Sequence, residues 1–252
     1  MRTLVIQSHT TGVRDTWVGR CLGSVERWAE SRGFDYRFFG DEALGRTPDW
    51  YREKLGTRTP IVADLARLLL IQEALAGDYE RACWLDADVL LFAPDRLALS
   101  FDQSCAFGRE YWMEADGRGQ IKVRRNVHNA ICAFKAGCPV LPFLIHATQR
   151  IIRRADPERI APQMVGPKLI GALHNIVGFD LIEGVGAFSP AVIDELEQVP
   201  GEAVAALLRE TPVPLAGANL CASLQSSRDL GDLCARLVSS GDLAGGGGAA
   251  IT

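Results

Sequence analysis

The chain has 252 residues, of which 48% are hydrophobic and 23% are charged. Its 27 Lys and Arg are outnumbered by 31 Asp and Glu, which gives a formal net charge of -4 and argues against a nucleic-acid-binding protein, because phosphate binding needs a basic face. This composition supplies material for a large core and predicts a globular protein, not a disordered one.

The seven cysteines form no Cys-x-x-Cys pair, and most of them lie in apolar runs. An odd number without ligand spacing predicts free thiols in a reducing compartment, not disulfides or a zinc site. No apolar run reaches the roughly 18 residues that span a membrane, and the run at the N-terminus is too short for a signal peptide. We therefore expect a cytoplasmic protein, free or peripheral to the inner membrane.

The first elements alternate between strand and helix. The apolar run 4–6 predicts a strand, and a polar loop follows at 8–12. Apolar residues recur at helical spacing from 16 to 32, and Gly33 follows them as a C-cap would. The aromatic run 34–39 predicts a second strand, which completes a β-α-β unit.

The alternation continues toward the middle of the chain. Segment 45–58 is polar and contains Pro48 and Gly56, so we expect irregular or loosely helical backbone there. A proline at the first turn and an apolar face predict a helix over 60–75. The continuous apolar run 81–85 predicts a buried central strand.

Fewer strands and helices are predicted in the second half of the chain. Two further strands are predicted at 106–108 and 130–134, and the charged segment 109–126 between them is expected to be a surface excursion. Helices are predicted at 140–154 and 164–176, a short strand at 185–188, and a disordered, glycine-rich tail at 241–252.

Strands that alternate with helices over most of the length predict a single α/β domain at 1–240, with a mostly parallel central sheet flanked by helices. Ligands of such sheets bind at the carboxyl ends of the strands. This places the loop 8–12, the segment Asp86–Asp88 and Asn129 at one rim of the sheet. We expect the functional site there.

Two carboxylates, Asp86 and Asp88, directly follow the predicted strand 81–85 and have apolar residues on both sides. Carboxylates held this close are costly unless a cation or a hydrogen-bond network balances them. Hard cations such as Mg2+ prefer oxygen ligands and often combine one or two carboxylates with the phosphates of a substrate. The pattern therefore predicts a metal-nucleotide site rather than a solvated turn.

The stretch Ala63–Leu70, followed by Tyr79–Leu90, resembles the nucleotide-sugar glycosyltransferases of the GT-A fold. In the glycogenin and lipopolysaccharide-galactosyltransferase pattern, an arginine helix precedes a Leu-Asp-x-Asp-Val-Leu segment by a similar distance. The pair Asp64 and Arg67 is similar to that of mannosyltransferases and glucosylating toxins with the same Asp-x-Asp.

Two later segments extend this resemblance over about residues 1–175. Asn129–Ala133 is similar to the strand from which an asparagine enters the donor-sugar site of these enzymes. Gly166 and Pro167 open a predicted helix and resemble a Gly-Pro segment of the mannosyltransferase group.

The resemblance implies a Rossmann-like GT-A fold and transfer of a sugar from a nucleotide-sugar, most simply a UDP-sugar, with Mn2+ or Mg2+ as cofactor. The acceptor would be a hydroxyl of a saccharide, lipid or small molecule, and the anomeric configuration would be retained. Asp86, Asp88 and Arg67 would be catalytic, and the two aspartates would bind the metal. The implied donor site comprises Ser8, His9, Thr10, Thr11, Gly12, Asp64, Arg67, Asp86, Ala87, Asp88 and Asn129.

The chain departs from this pattern near its C-terminus, where the relatives carry a histidine motif. Asn219 stands at the corresponding place, and because an amide carbonyl can bind a hard cation, Asn219 is the third predicted metal ligand. No Lys-Pro-Trp follows, so Lys168, Arg124 or Arg125 would have to contact the diphosphate.

Several alternatives remain open from the sequence. Asp86 is also placed as the nucleophile of a haloacid-dehalogenase-like phosphatase would be, and Asn219 in place of histidine suits a non-catalytic nucleotide-sugar-binding protein. Asp64 and Arg67 have the spacing of an ordinary ion pair on a helix surface. The acceptor and the oligomeric state are not predicted, although Trp50-Tyr51 and Tyr111-Trp112 are candidates to stack on sugar rings.

Overall fold

The computed structural model describes residues 1–13, 16–225 and 228–243. The strands are β1 (Thr3–Ser8), β2 (Asp35–Phe39), β3 (Arg81–Leu85), β4 (Val89–Leu91), β5 (Cys105–Ala115), β6 (Ile121–Lys135), β7 (Asp180–Ile182), β8 (Val185–Ala187) and β9 (Gly217–Asn219). The helices are α1 (Trp17–Ser31), α2 (Asp49–Leu55), α3 (Thr59–Ala76), α4 (Val140–Arg154), α5 (Pro167–Val177), α6 (Pro190–Glu197), α7 (Glu202–Glu210) and α8 (Gly231–Ser240). From residue 244 onward, the predicted tail lies outside the described residues.

A six-stranded sheet forms the centre of the fold, in the order β2-β1-β3-β6-β5-β7. The pairs β1–β2, β1–β3 and β5–β7 are parallel, whereas β6 runs antiparallel to both of its neighbours. Five strands therefore point in one direction. This confirms the prediction of an α/β domain with a mostly parallel central sheet flanked by helices.

The strands β1 and β3 carry apolar residues on both of their faces, because helices cover both faces of the sheet. In β1, Leu4 and Ile6 belong to a core cluster that includes residues of α3, α4 and α5. Val5, which lies between them, points to the opposite face and packs in a cluster with Val25 and Trp28 of α1. Strand β3 alternates in the same way, so its continuous apolar run is the expected sequence of a strand buried on two sides.

The prediction of a surface excursion at 109–126 is wrong, because this segment forms most of a long antiparallel hairpin. Strands β5 and β6 pair from one end to the other, and the glycines of the segment lie in the connecting turn. Tyr111 and Met113 are buried in a second core cluster, and Ile121 and Val123 pack against it. The charged residues Glu114, Lys122 and Arg124 alternate with these and are exposed, as a half-buried hairpin requires.

Segment 45–58, expected to be irregular or loosely helical, contains the regular helix α2. This helix has only seven residues, which is too short for a periodic pattern to stand out from its polar surroundings. Its Tyr51 and Leu55 are fully buried. Tyr51 is therefore a core residue and not a stacking platform for sugars, and the same holds for the buried Tyr111.

A second, three-stranded sheet in the order β4-β9-β8 was not predicted. Strand β4 follows the Asp-x-Asp directly and pairs antiparallel with β9, in a register that sets Val89 opposite Asn219. Helices α6, α7 and α8 supply buried residues to the core cluster beside this sheet. The pairing brings the end of β9 next to Asp88.

The seven cysteines are free, and six of them are buried, in agreement with the predicted free thiols. Within the described ranges, no helix has both the length and the hydropathy of a membrane-crossing segment.

Two glycine substitutions test the tight packing of the second sheet. A Cβ on Gly217, in the central strand β9, would lie 2.5 Å from the Leu90 carbonyl oxygen, whereas a Cβ on Gly171 in α5 has no atom within 4 Å. We expect Gly217→Ala to lower the free energy of unfolding by about 1 to 3 kcal/mol, and Gly171→Ala to raise it by up to about 1 kcal/mol. Urea denaturation of both variants measures these changes, and equal effects would contradict the packing described.

Candidate active site

A cavity of about 600 Å³ opens at the carboxyl ends of the central strands. Asp86 and Asp88, which follow β3, line it together with residues from β1, α3, the β5–β6 hairpin and the turn after β9. Of the predicted site residues, the cavity lining includes Ser8, His9, Asp64, Arg67, Asp86, Ala87, Asp88, Asn129 and Asn219. The lining does not include Thr10, Thr11 and Gly12, although the structure describes all three.

The guanidinium group of Arg67 connects three elements at the base of this cavity. Its Nη1 lies 3.1 Å from Asp86 Oδ1, and its Nη2 lies 3.4 Å from Asp64 Oδ1 on the same helix, α3. Nη1 also donates to the Asn129 carbonyl of β6, while the Asn129 amide donates to Asp64 Oδ1 at 2.7 Å. The four predicted residues therefore form one network.

The alternative of a surface ion pair between Asp64 and Arg67 is wrong, because the two residues are only 8% and 6% exposed. Burial raises the pKa of Asp64 to about 6, although Arg67 and the Asn129 amide oppose the shift. Burial also works against the charged form of Arg67, but Asp86 and Asp64 more than offset it and hold the arginine pKa above its ordinary value. The arginine Nε is buried without a hydrogen-bond partner among the described residues.

Asp86 is fixed by contacts that leave one of its carboxylate oxygens available. The indole Nε1 of Trp84 donates to Asp86 Oδ1 at 2.6 Å, on the same oxygen that faces Arg67. The backbone of Asp86 is held by Gln7, whose amide donates to the Asp86 carbonyl, and by the Ala130 carbonyl, which accepts from the Asp86 N–H. Among the described residues, Asp86 Oδ2 has no hydrogen-bond or ion-pair partner.

The role of Trp84 in this site was not predicted, because Trp84 fits a core position. It is indeed 3% exposed and belongs to the main core cluster. Residues two apart in a strand point to the same side, so the spacing between Trp84 and Asp86 is the sequence signal that could have identified this contact. The Arg67 guanidinium also lies over the Trp84 ring, 5.2 Å from its centroid.

Asp88 is held by the turn that follows β9. The Asn219 amide donates to Asp88 Oδ1 at 3.0 Å, and the Ala222 N–H donates to Oδ2 at 2.8 Å. The side-chain oxygen of Asn219, Oδ1, accepts from the Cys221 N–H, so the Asn219 side chain presents a donor to Asp88 and not a free oxygen to a cation. Its assignment as a third metal ligand stays a prediction.

The backbone of this turn is strained at Cys221. Its φ of 51° is the only positive φ of a non-glycine residue in the described parts of the chain. Left-handed backbone costs energy for such a residue, and this strain is typical of functional sites where surrounding contacts enforce it. Here the left-handed residue directs the next N–H, that of Ala222, at the Asp88 carboxylate.

The charges that line the cavity favour a cation. Among the described residues, four carboxylates, those of Asp64, Asp86, Asp88 and Glu110, line the cavity together with one guanidinium, that of Arg67. Burial and the neighbouring Asp86 raise the pKa of Asp88 to about 6. Ionisation of Asp88 beside Asp86 is therefore unfavourable without a compensating positive charge. A divalent cation would relieve this repulsion.

The residues present fit a cation that is shared with a substrate. In the described part of the chain, no group of three or more His, Cys, Asp or Glu side chains is arranged to hold a metal by itself. Mg2+ and similar ions often bind through one or two carboxylates and complete their coordination with substrate phosphates and water. The free Asp86 Oδ2 and the unused lone pairs of Asp88 suit that arrangement.

The basic residues predicted to contact a diphosphate lie away from the cavity lining. Arg124 and Arg125 are on the hairpin and pair with Glu114 and Glu210, each at 2.6 Å. Lys168 is exposed on α5 and does not line the cavity.

No protein-family model matches the chain, and no curated protein matches it significantly. Among solved structures, it is similar to a glycosyltransferase involved in the glycosylation of the major capsid of PBCV-1, with 12% identity, a TM-score of 0.45 and coverage of 93% of this chain and 98% of that one. It is also similar to the apo form of the glycosyltransferase GlyE of Streptococcus pneumoniae TIGR4, with 10% identity, a TM-score of 0.35 and coverage of 73% of this chain and 46% of that one. Neither likeness is close enough to carry an argument. The α/β architecture therefore rests on the sheets described above, and the GT-A assignment stays a prediction.

Removal of the buried guanidinium tests the network. Arg67→Met leaves two carboxylates without their cation, so we expect the free energy of unfolding to fall by about 3 to 5 kcal/mol. Arg46→Met is the control, because Arg46 and its partner Glu73 are exposed and such pairs contribute at most about 1 kcal/mol. Chemical denaturation compares the two variants, and similar losses would contradict a network that depends on burial.

The raised pKa of Asp64 predicts a pH effect on stability. Between the ordinary pKa of an aspartate, 3.8, and its folded value of about 6, the folded state binds a proton that the unfolded state has lost. The contribution of Asp64 to stability is therefore complete below pH 4 and is lost as the pH rises through 6. Asp64→Asn removes this titration. We therefore expect the free energy of unfolding of the variant, relative to that of the original chain, to increase by about 1.5 to 3 kcal/mol as the pH rises from 4 to 7. Denaturation curves over this range measure the difference, and a constant difference would contradict the shift.

Proposed function

We propose that this protein is a glycosyltransferase that moves a sugar from a nucleotide-sugar, most simply a UDP-sugar, to a hydroxyl acceptor. The observation that carries the proposal is the pair Asp86 and Asp88 at the carboxyl end of β3, beside a cavity. The single guanidinium among the described residues of its lining is already paired with Asp64 and Asp86. A diphosphate could enter so acidic a cavity only together with a divalent cation. The sequence resemblance to GT-A enzymes assigns the same role to the same two carboxylates.

In the proposed reaction, the bond between the anomeric carbon and the diphosphate oxygen breaks, and the acceptor oxygen bonds to that carbon. The diphosphate leaves with the bonding electron pair, and its oxygen takes up the proton that the acceptor hydroxyl releases. A bound Mn2+ or Mg2+ supplies positive charge that stabilises the departing diphosphate. We propose retention of the anomeric configuration, which rests on the resemblance.

The residues that line the cavity have distinct roles in this proposal. Asp86 Oδ2 and the Asp88 carboxylate would hold the cation, and Trp84 keeps Asp86 in one orientation through its indole N–H. Arg67 orients Asp86 and Asn129 through bonds that use its Nη1 atom, so it is a positioning residue for the carboxylates. Ser8 and His9, at the end of β1, would border the nucleoside.

Nucleotide binding tests the proposal directly. A ligand that binds only the folded state raises its apparent stability, so we expect UDP with Mn2+ to raise the melting temperature more than either alone. The same screen includes GDP and CDP, and liberation of UDP from UDP-sugars in the presence of Mn2+ tests turnover. Asp88→Asn should weaken Mn2+-dependent UDP binding by about 100-fold, since charge-assisted contacts to a cation are lost.

Asp95→Asn provides the matched control, because Asp95 is exposed and lies outside the cavity lining. It should bind UDP and Mn2+ as the original chain does. If no nucleotide shows Mn2+-dependent binding, or if Asp88→Asn binds equally well, the proposal fails. Hydrolysis of p-nitrophenyl phosphate would then favour the phosphatase alternative, and nucleotide-sugar binding without turnover would favour the non-catalytic alternative.

A further inference from the structure

The β5–β6 hairpin extends past the rim of the sheet and lines one end of the cavity. Beyond the register shift between Phe107 and Gly108, its side chains alternate between two environments. Tyr111 and Met113 point into the second core cluster, whereas Glu110 and Trp112 line the cavity. The hairpin therefore presents a carboxylate and an indole ring, two residues apart, to whatever occupies this end.

The polar groups of these two side chains are largely unused within the protein. Glu110 Oε1 accepts from the Asn126 amide at 2.8 Å, but Oε2 has no partner among the described residues. The Trp112 indole N–H likewise has no acceptor in the described part of the chain, and the ring is only partly buried. A ligand at this end would thus meet a free acceptor, a free donor and an apolar ring face.

The order of the strands separates this end from the predicted nucleoside end. Across the sheet, β1 lies on one side of β3, whereas β6 and β5 lie on the other. Ser8 and His9 extend from β1, Asp86 and Asp88 follow β3, and Glu110 and Trp112 belong to β5. A donor whose diphosphate lies at the two aspartates and whose nucleoside lies near β1 would therefore place its sugar toward the hairpin.

The charge at this end selects among acceptors. Among the described residues, Glu110 is the fourth carboxylate of the cavity lining, and the one arginine of that lining is already paired. The nearby His128 does not supply compensating charge, because burial lowers its pKa. An acceptor that carries a carboxylate, sulfate or phosphate close to the reacting hydroxyl would be repelled.

We propose that Glu110 and Trp112 form the acceptor subsite and that the acceptor is an uncharged pyranose of a saccharide. This inference rests on the proposed function. The apolar face of a pyranose ring packs on the indole ring, and its hydroxyls donate to Glu110 Oε2 and accept from the Trp112 N–H. Buried apolar contact with a few convergent polar groups is the usual composition of a small-molecule site.

Nitrogen-15 NMR of the tryptophan indoles tests the subsite. The five tryptophans give five indole N–H signals, and Trp112→Phe identifies the signal of Trp112. The probes are methyl β-glucopyranoside and methyl β-galactopyranoside, with methyl β-glucuronide as the negatively charged counterpart. We expect the pyranosides to shift the Trp112 signal in a saturable way and the glucuronide to bind about tenfold more weakly, which corresponds to about 1.4 kcal/mol.

Substitutions separate this result from a general loss of structure. Trp112→Ala should raise the Kd of the pyranosides about tenfold or more, whereas Trp50→Ala should leave it unchanged. Calorimetric titration measures these Kd values, because Trp112→Ala lacks the indole signal followed by NMR. Trp50 is a matched control, because it is partly buried, lies under the Arg153 guanidinium and is outside the cavity lining. Glu110→Gln removes the negative charge of this side chain, so it should reduce the difference in Kd between the glucopyranoside and the glucuronide.

The proposal is overturned if no pyranoside shifts the Trp112 signal, or if the glucuronide binds as tightly as the neutral sugars. The titrations are run with and without UDP and Mn2+, so that the two proposals fail separately. If UDP does not bind but the pyranosides shift the Trp112 signal, the proposed function is overturned. If UDP binds but no pyranoside shifts the Trp112 signal, the acceptor subsite is overturned.

Discussion

The guanidinium of Arg67 is the charge around which the cavity is arranged. It reaches from α3 to Asp86 at the end of β3 and to the Asn129 carbonyl on β6, with Asp64 beside it on the same helix. A buried arginine must be balanced by acceptors, and each acceptor here lies on a different part of the sheet or on its covering helix. Arg67 therefore orients the Asp86 carboxylate together with the indole N–H of Trp84.

The second sheet defines the other wall of the cavity. The register of β4 against β9 sets Val89 opposite Asn219 and brings the following turn onto Asp88. Asp86 is thus held from the side of the large sheet and Asp88 from the side of the small one. Two carboxylates two residues apart are kept in fixed orientations by elements from opposite ends of the chain, which is the preorganisation that electrostatic catalysis requires.

The sequence predicts the features that local patterns determine. The helix over α3 and the buried strand β3 follow from periodicity and a continuous apolar run, and the polar groups at the strand ends do meet at one rim. The hairpin was missed because its charges and glycines outweighed the alternation of Ile121 and Val123 with exposed residues. The short strand predicted at 185–188 is present as β8. Strands β4 and β9 were not predicted, because three residues are too few for any period to be seen.

Other features depend on contacts between distant residues. Spacing alone cannot distinguish a buried pair of Asp64 and Arg67 from a surface pair, because three residues apart on a helix suits both. The contact of Asn219 with Asp88 joins positions 131 residues apart and follows only from the pairing of β4 with β9. Trp84 lies in the apolar run 81–85, which is typical of a core position, and its indole N–H acquires a role only because Asp86 lies beside it in the folded chain.

The most direct test of the account is a crystal structure of the protein with UDP and Mn2+, in which anomalous scattering locates the cation. We expect the cation within about 2.0 to 2.6 Å of carboxylate oxygens from Asp86 and Asp88, as hard cations bind oxygen ligands, with the diphosphate completing its coordination. A cation or a nucleotide bound elsewhere, with neither aspartate in contact, would contradict it.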